Sequence, residues 1–181
     1  EAALQAEIIE RRRAEAALLQ SKERLQQILQ GTRAGTWEWQ VQTGETVFNE
    51  RWAEIIGYTL SELAPINIET WRDLTHPDDM ARSNALLAYH FAGDLPYYEC
   101  EVRMRHRQGH WVWVLDRGQV LEWDADGRPL RMFGTHIDIS MRKEAETALR
   151  ASEAHYRLLT ESATDLIGQL TPEGAITYAS P

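Results

Sequence analysis

The chain carries the same short helical sequence twice, once near each end. Six residues of the first copy recur 131 residues later, and the pairs are Arg11 and Arg142, Ala14 and Ala145, Glu15 and Glu146, Ala17 and Ala148, Leu18 and Leu149, and Ser21 and Ser152. A second similarity follows, because residues 43–48 resemble residues 173–178 at an offset of 130. Internal repeats of this kind indicate a modular architecture. The sequence therefore predicts one complete unit, a charged helix with a globular domain of about a hundred residues, and the beginning of a second unit.

Composition is that of a globular protein and disfavours several partners. The 181 residues are 43% hydrophobic and 26% charged, and the net charge at pH 7 is -9. Such an acidic chain disfavours nucleic acid and anionic membrane surfaces, because both would repel it. No apolar run approaches the roughly 18 to 20 residues that span a bilayer. We therefore expect a segment without direct membrane contact, cut at both ends from a longer protein whose other parts could be membrane-anchored.

The cysteine content points to a reducing compartment. Cys100 is the one cysteine of the chain, so no internal disulfide can form. A lone thiol fits the cytoplasm, and we expect it to be buried and inert. The sequence therefore predicts a cytoplasmic location.

Long helices are predicted at both ends of the chain. Residues 2–32 contain no proline and are rich in Ala, Leu, Glu, Gln and Arg, which are strong helix formers. Spacings that alternate between four and three define a heptad seam at Ala14, Leu18, Ser21, Leu25, Ile28 and Thr32, and again at Ala145, Leu149, Ser152, Tyr156, Leu159 and Ala163. This period favours a left-handed coiled coil, although the small residues weaken it. We predict a parallel homodimer through these seams, and packing of each stripe on the adjacent domain is the alternative.

The residues between the two helices predict an α+β domain. In chain order the predicted elements are strands at Thr36–Val41 and Thr46–Asn49, a short helix ended by Gly57, a helical turn with a capping box at Thr59–Glu62, an irregular stretch after Pro65, a helix from Pro77 to about Ala92, and strands at Tyr97–Arg107, Trp111–Leu115 and Leu130–Ile139. This order predicts a five-stranded antiparallel sheet with short helices on one face. The strand at Trp111–Leu115 is apolar on both faces, so its inner face stays undecided.

No catalytic or metal-binding constellation is evident. His76, Asp78 and Asp79 are plausible ligand types. At a helix start, however, we expect them to point outward in different directions, with the carboxylates stabilised by the helix dipole. The glycines are scattered rather than grouped into a phosphate-binding loop. The sequence therefore predicts no metal site and no enzyme activity in this segment.

Three motifs, in this order and spacing, resemble the PAS domain with its PAC motif. They are Trp71–Asp79, Arg107–Trp113 and Gly134–Ser140, and the resemblance covers about residues 21–140. The helix with Arg142–Glu146 resembles the linkers that join tandem PAS domains in bacterial sensor proteins. The resemblance implies four parts: an N-terminal signalling or coiled-coil helix at 1–32, a PAS domain with PAC motif at 33–140, a linker helix at 141–164, and the truncated start of a second PAS domain at 165–181.

The resemblance also implies a ligand pocket between the buried face of the sheet and the short helices. Periodicity gives the candidate lining residues, which are Trp52, Ile56, Trp71, Leu74, Cys100, Val102, Met104 and His136. His136 lies where light-sensing flavin relatives place a glutamine that bonds the flavin ring. Those relatives also need a cysteine within residues 67–74, and none is present. Flavin-cysteinyl photochemistry is therefore excluded.

Two cofactors remain as alternatives under the resemblance. Redox-sensing relatives hold flavin adenine dinucleotide (FAD) beside a tryptophan, a role that Trp71 would fill. Haem-binding relatives use a histidine of the long helix, where His90 lies. A lone helical histidine is more often a capping or solvent-facing residue, so haem is disfavoured. We expect no bound cofactor, with FAD as the alternative.

The resemblance places a signalling joint at the end of the domain. Asp138 is expected to hold the strand end, and Ser140 to cap the outgoing helix. We predict a sensory and signal-relay module of a multidomain bacterial signalling protein, either a two-component histidine kinase or a cyclic-di-GMP enzyme such as a diguanylate cyclase. Its partners would be a second copy, the effector domain of the same chain and a small molecule. Two alternatives stay open: an FAD-binding redox or oxygen sensor, and a ligand-free structural dimerisation spacer.

Overall fold

The computed structural model describes residues 2–162, 168–171 and 176–179. In chain order the elements are α1 (Ala2–Thr32), β1 (Gly35–Gln40), β2 (Thr46–Phe48), α2 (Glu50–Ile55), α3 (Leu60–Leu63), α4 (Ile68–Leu74), α5 (Pro77–Ala92), β3 (Tyr98–Arg105), β4 (Trp111–Trp123), β5 (Pro129–Asp138), α6 (Ser140–Ser162), β6 (Gly168–Leu170) and β7 (Ile176–Ala179). They divide into two units, Glu1–Ile139 and Ser140–Pro181. The first unit contains the α+β domain.

The sheet of the first unit has five antiparallel strands in the order β2-β1-β5-β4-β3. The last strand, β5, therefore lies at the centre, between β1 and β4. His136 of β5 is paired with Gly35 on one side and with Asp116 on the other. The predicted five-stranded antiparallel sheet is confirmed, and its long central strand is the one that leads out of the domain.

Local capping explains where most of the helices begin and end. The side chain of Asn49 accepts the backbone N–H of Trp52 at 2.9 Å and so begins α2. The capping box predicted for Thr59 and Glu62 is present in α3. Pro77 is the first residue of α5, and Gly93 ends that helix with a left-handed φ of 85°. The boundaries of α3 and α5 confirm the predictions made from capping residues, whereas Asn49 was predicted to end a strand and instead caps α2.

The stretch after Pro65 is not irregular, and that prediction was wrong. Residues 68–74 form α4, which begins with a reciprocal cap. The Asn67 side chain accepts the Glu69 N–H at 2.8 Å, and the Thr70 hydroxyl accepts the Asn67 N–H at 3.2 Å. These polar bonds stabilise a helix too short to show a clear apolar period, and they turn Trp71 into the core.

The inner face of β4 is now assigned. Val112 and Val114 are buried, whereas Trp111 and Trp113 lie on the outer face. The core forms between this inner face and helices α2 to α5. Its buried apolar members are Trp37, Trp39, Phe48, Trp52, Ala53, Ile55, Ile56, Trp71, Tyr98, Cys100, Val102, Met104, Val112, Val114, Val120 and Met132.

The predicted seams of α1 and α6 lie on exposed surface in the single chain. Leu18, Leu25 and Ile28 of α1 are more than half exposed, and so are Leu149 and Leu159 of α6. Ala14, Ala145 and Tyr156, the remaining committed seam positions, are also exposed. Within the described residues, the apolar seam side chains at heptad spacing are therefore largely exposed to solvent.

The second unit continues beyond α6 as a short hairpin of β6 and β7. Of the predicted repeat, Ala163 and residues 173–175 lie outside the described residues. Within the part of the chain that the structure describes, no helix combines the length and the apolarity needed to cross a bilayer.

Candidate ligand pocket

A cavity lies between helices α2, α4 and α5 and the inner face of the sheet, and each of the sheet's five strands contributes to its wall. The lining residues are Trp37, Trp39, Thr46, Phe48, Trp52, Ile68, Trp71, Arg72, Asn84, Leu87, Tyr98, Asp116 and His136. Its volume is about 40 Å³. Arg72 and Asn84 are exposed residues, so the cavity extends from the buried sheet to the surface between α4 and α5.

Trp37 covers the floor of the cavity because two glycines leave room for it. Gly118 and Gly134 are cross-strand partners at the centre of the sheet. A Cβ atom at Gly118 would lie 2.3 Å from the Trp37 ring, and one at Gly134 would lie 2.2 Å from it. The indole Nε1 donates a hydrogen bond of 2.9 Å to Asp116 Oδ1. The glycine pair therefore fixes the tryptophan against the sheet and over the carboxylate.

Asp116 is the centre of a buried polar network. Tyr98 donates its hydroxyl to Asp116 Oδ2 at 3.3 Å, and the Tyr98 oxygen lies 2.8 Å from Ser83 Oγ. Burial, followed by the charge of Asp116, raises the pKa of Tyr98 well above its ordinary value of 10.0. The phenol therefore stays protonated, and Ser83 is left as the donor to the Tyr98 oxygen. This network ties α5 to strands β3 and β4 of the sheet.

His136 lies beside the carboxylate inside an aromatic stack. Its Nε2 is 3.1 Å from Asp116 Oδ1, although the atoms are not aligned as a hydrogen bond. Trp52 stacks on Phe48 with ring centroids 3.7 Å apart, and His136 lies on the same Trp52 at 5.4 Å. Among the side chains that the structure describes, no lysine or arginine pairs with Asp116. Within that part of the chain, His136 is the basic side chain that lies beside Asp116.

The eight predicted pocket residues are divided by the structure into two groups. Trp52, Trp71 and His136 line the cavity. The other five pack in or against the core without lining it, and they are Ile56, Leu74, Cys100, Val102 and Met104. Thr75, between α4 and α5, forms a β-bridge to Met104 and so covers the C-terminal end of β3. Of the β3 residues, Tyr98 is the one that lines the cavity. Whether any of these residues binds a ligand stays a prediction.

Cys100 is buried, as expected. Burial raises the pKa of its thiol, which keeps the group protonated and weakly nucleophilic.

Asp138 and Ser140 lie where the strand gives way to the helix. Asp138 is the last residue of β5 and is paired with Val114, and α6 begins at Ser140 itself. A single residue, Ile139, separates the strand from the helix. His136, in the cavity wall, is two positions before Asp138 on the same strand.

The three residues that were considered as metal ligands were expected to point outward, and they do not all do so. Asp79 is turned into the domain, where it accepts three hydrogen bonds of 2.9 to 3.0 Å from Arg103. His76 caps α5, because its Nδ1 accepts the Asp78 N–H at 3.2 Å. The expected outward orientation was therefore wrong for Asp79, whose charge is satisfied by a guanidinium.

Comparison with known proteins places this domain in a family. A family model described as the PAS fold matches residues 45–136, about half of the chain. The chain belongs to the PAS fold family. The structure of a sensory box histidine kinase/response regulator from Burkholderia thailandensis is 37% identical, with a TM-score of 0.65, over 74% of this chain and 98% of that one.

Two further relatives extend the likeness. The N-terminal domain of a diguanylate cyclase with a PAS/PAC sensor from Marinobacter aquaeolei is 25% identical, with a TM-score of 0.52, over 61% of this chain and 98% of that one. The two-component sensor PprA of Pseudomonas aeruginosa is 27% identical over 96% of this chain but only 18% of its own length. The chain is thus a PAS sensor domain homologous to domains of larger signalling proteins, and it spans about a fifth of such a protein.

The PAS pocket does not fit a flavin ring. Its volume of about 40 Å³ is far below the roughly 300 to 1,000 Å³ of cavities that hold drug-sized ligands. Trp37 and its glycine pair occupy the sheet surface against which a planar ring would lie. A flavin would therefore have to displace the Trp37 indole and break its bond to Asp116.

His90 is not available as a haem ligand either. It is buried rather than solvent-facing. Its Nε2 accepts the backbone N–H of Val120 at 3.0 Å, and its Nδ1 lies 2.9 Å from the carbonyl oxygen of Leu95. Nδ1 must therefore carry the proton and donate it. With both nitrogens engaged, this histidine links the end of α5 to the sheet.

Sequence reasoning did not identify Asp116 or Trp37 as site residues. The apolar run of β4 ends at Leu115, so the sequence predicts a strand that stops eight residues before the observed end at Trp123. Continued alternation through Val112, Val114 and Asp116 is the signal that places the carboxylate on the inner face. A charged residue at a buried strand position is a reason to look for its partners.

Proposed function

We propose that this chain is a sensory and signal-relay module in which the state of the PAS pocket is passed along β5 to α6 and on to an effector domain of the same protein. The larger relatives are named as two-component sensors, histidine kinases and a diguanylate cyclase. Their names support an effector of the histidine kinase or diguanylate cyclase type. The module itself is regulatory, and we place it in the cytoplasm.

One observation carries this proposal: the central strand of the sheet joins the pocket to the outgoing helix. His136 contacts Asp116 inside the domain, and Asp138 ends the same strand one residue before α6. β5 is flanked by β1 and β4 and cannot move alone. We therefore expect a shift of the His136 region to change the register or angle of β5 together with its neighbouring strands. A ligand biases the helix only if it prefers one of the two states.

We further propose that the flanking helices form a parallel homodimer. The exposed seam residues of α1 and α6 follow the same heptad register, and burying them against a second copy removes apolar surface from water. We also propose a division of the chain into 1–32, 33–140, 141–164 and 165–181. The second part contains a PAC motif, and a second PAS domain begins in the last part. In such a dimer, the two outgoing helices would pair with each other and pass a single signal to the effector domains.

The ligand-free spacer is the weaker hypothesis, because the pocket contains buried polar groups that packing alone does not require. A spacer core would be stabilised by apolar residues, whereas this core retains Asp116, His136 and Ser83 in nearly complete burial. Buried polar groups carry a desolvation cost that a filled apolar core avoids. The FAD alternative receives no support from the size of the cavity.

Replacing Asp138 with alanine in the full-length parent tests the relay. We expect effector output, measured as autophosphorylation or cyclic dinucleotide synthesis, to become insensitive to changes in the pocket while the domain stays folded by circular dichroism. Asp126→Ala, at an exposed turn position beyond the other end of β4, is the matched control and should leave output unchanged. Unaltered output of Asp138→Ala would contradict the relay.

A further inference from the structure

We propose that the pocket takes a small alkylammonium cation, of the size of methylammonium or dimethylammonium, with Asp116 as its counter-ion. This inference rests on the proposed sensory function and names the chemical class of the signal. It follows from three features of the cavity: its aromatic wall, its buried carboxylate and its volume.

The wall of the cavity is rich in aromatic side chains. Trp37, Trp39, Phe48, Trp52, Trp71 and Tyr98 contribute six aromatic rings to the thirteen lining residues. The faces of aromatic rings attract cations, and alkylated ammonium groups are recognised by cages of this composition. An aromatic cage supplies attraction for a cation whose methyl groups also need apolar surroundings.

The carboxylate gives the cage its charge. Asp116 is 3% exposed, and no described lysine or arginine neutralises it. A buried charge is costly unless it is paired. Its two donors, Trp37 and Tyr98, are neutral groups that do not balance the charge. An ammonium N–H in the cavity would supply both a hydrogen bond and a positive charge beside the carboxylate.

The volume limits the size of the cation. A buried water needs on the order of 10 to 15 Å³ of such space. A cavity of about 40 Å³ therefore holds on the order of three water-sized groups, which matches the three heavy atoms of dimethylammonium. Arg72, the other charged residue of the wall, is at the exposed rim and is paired with Glu69 at 2.7 Å, so it does not repel a cation inside.

The unpaired indole groups of the pocket favour the opposite ligand class and have to be weighed. Within the described chain, the Nε1 atoms of Trp39, Trp52 and Trp71 have no hydrogen-bond partner. Such donors would suit an anion. Each of these nitrogens is covered by protein, however, so none faces the free volume of the cavity. Asp116 decides the charge of the ligand, and acetate is the probe for the alternative.

Isothermal calorimetry on the 181-residue chain tests the proposal directly. Dimethylammonium chloride at pH 7.5 should bind with one site per chain and raise the melting temperature by about 2 to 4 °C at concentrations well above Kd. Sodium acetate, of similar size and opposite charge, should do neither at equal ionic strength. Binding of acetate, or no binding of either methylammonium or dimethylammonium, overturns the inference without needing any variant.

Two variants locate the site. Asp116→Asn, which preserves size and removes charge, should weaken dimethylammonium binding at least tenfold. Asp126→Asn, an exposed aspartate in a turn, is the matched control and should bind as the wild type does. Retained binding in a folded Asp116→Asn chain would contradict the assignment. A failure of the cation to bind would leave the Asp138 relay test intact, so the two proposals fail separately.

Discussion

At the scale of single residues, the buried carboxylates of this domain are paired in two different ways. Asp79 meets a guanidinium directly, because Arg103 offers its backbone N–H and two side-chain donors to it. Asp116 meets only neutral donors and one histidine. The first arrangement pairs the carboxylate with a guanidinium, and the second gives the carboxylate no guanidinium or ammonium partner among the described side chains.

The Asp79 pair makes a pH-dependent contribution to stability. Burial alone would raise the pKa of Asp79, but the hydrogen bonds and charge of Arg103 outweigh it and hold that pKa below its ordinary value of 3.8. A lowered folded pKa means that the stabilisation is complete above the unfolded value and is lost as the pH falls through the folded one. We therefore expect the pair to stabilise the domain fully at neutral pH and not in acid.

Asp79→Asn tests this pair by urea unfolding. At pH 7 the variant should lose roughly 2 kcal/mol in free energy of unfolding. The difference from the wild type should shrink as the pH falls below about 4, because protonation then removes the charge from the wild-type side chain as well. Asp78→Asn removes a 76% exposed carboxylate that lies 3.6 Å from the same guanidinium, and it should cost less than about 0.5 kcal/mol because solvent screens that contact. A difference that is independent of pH would contradict the role given to the charge.

Sequence patterns predict buried residues better than they predict buried polar contacts. The alternation of Tyr98, Cys100, Val102 and Met104 is sufficient to assign the inner face of β3. The inward turn of Asp79 is not predictable from a helix-start motif, because it depends on Arg103, which comes from a distant strand. The same holds for Gly118, whose role appears only once Trp37 of another strand is placed above it.

At the scale of elements, β5 and the two long helices decide what the domain can transmit. Sequence predicts five strands and their order along the chain, but not that β5 is central, since pairing order depends on contacts between distant segments. The capping residues of α2, α3 and α5 are local signals and predict those helices well. The helix α4 is missed because its cap, Asn67 with Thr70, follows a proline-containing stretch that reads as irregular.

The heptad seam of α6 can be tested with adjacent leucines. Leu159 lies on the seam and Leu158 does not, yet both are more than half exposed in the single chain. Leu159→Glu should therefore raise the dimer dissociation constant by about tenfold or more, because it places a charge in the interface. Leu158→Glu should have little effect on association.

Sedimentation equilibrium over a range of concentrations measures both variants of α6. The pair Leu18→Glu and Leu19→Glu gives the same comparison in α1, where the two leucines are equally exposed. Equal effects of seam and off-seam substitutions, or a wild-type chain that stays monomeric throughout, would contradict the proposed dimer.

At the scale of the whole molecule, a small polar pocket lies beside a central strand that leads into a helix. A single residue separates that strand from the helix. Asp116 contacts Trp37, Tyr98 and His136 in the pocket, and the proposed cation would compete for the same carboxylate. The strand is suited to transmit a change at this site because it is hydrogen-bonded on both sides.

Amide hydrogen exchange of α6, followed by mass spectrometry, tests the central claim of coupling most directly. Trp37→Phe removes the indole bond to Asp116 without adding volume, and Trp123→Phe changes a partly exposed tryptophan at the far end of β4 as the matched control. The account predicts that Trp37→Phe alters the exchange rates of residues 141–147 by at least about threefold, that Trp123→Phe does not, and that adding Asp138→Ala abolishes the difference. Unchanged exchange in α6, while the amides of β4 and β5 respond to Trp37→Phe, would contradict it.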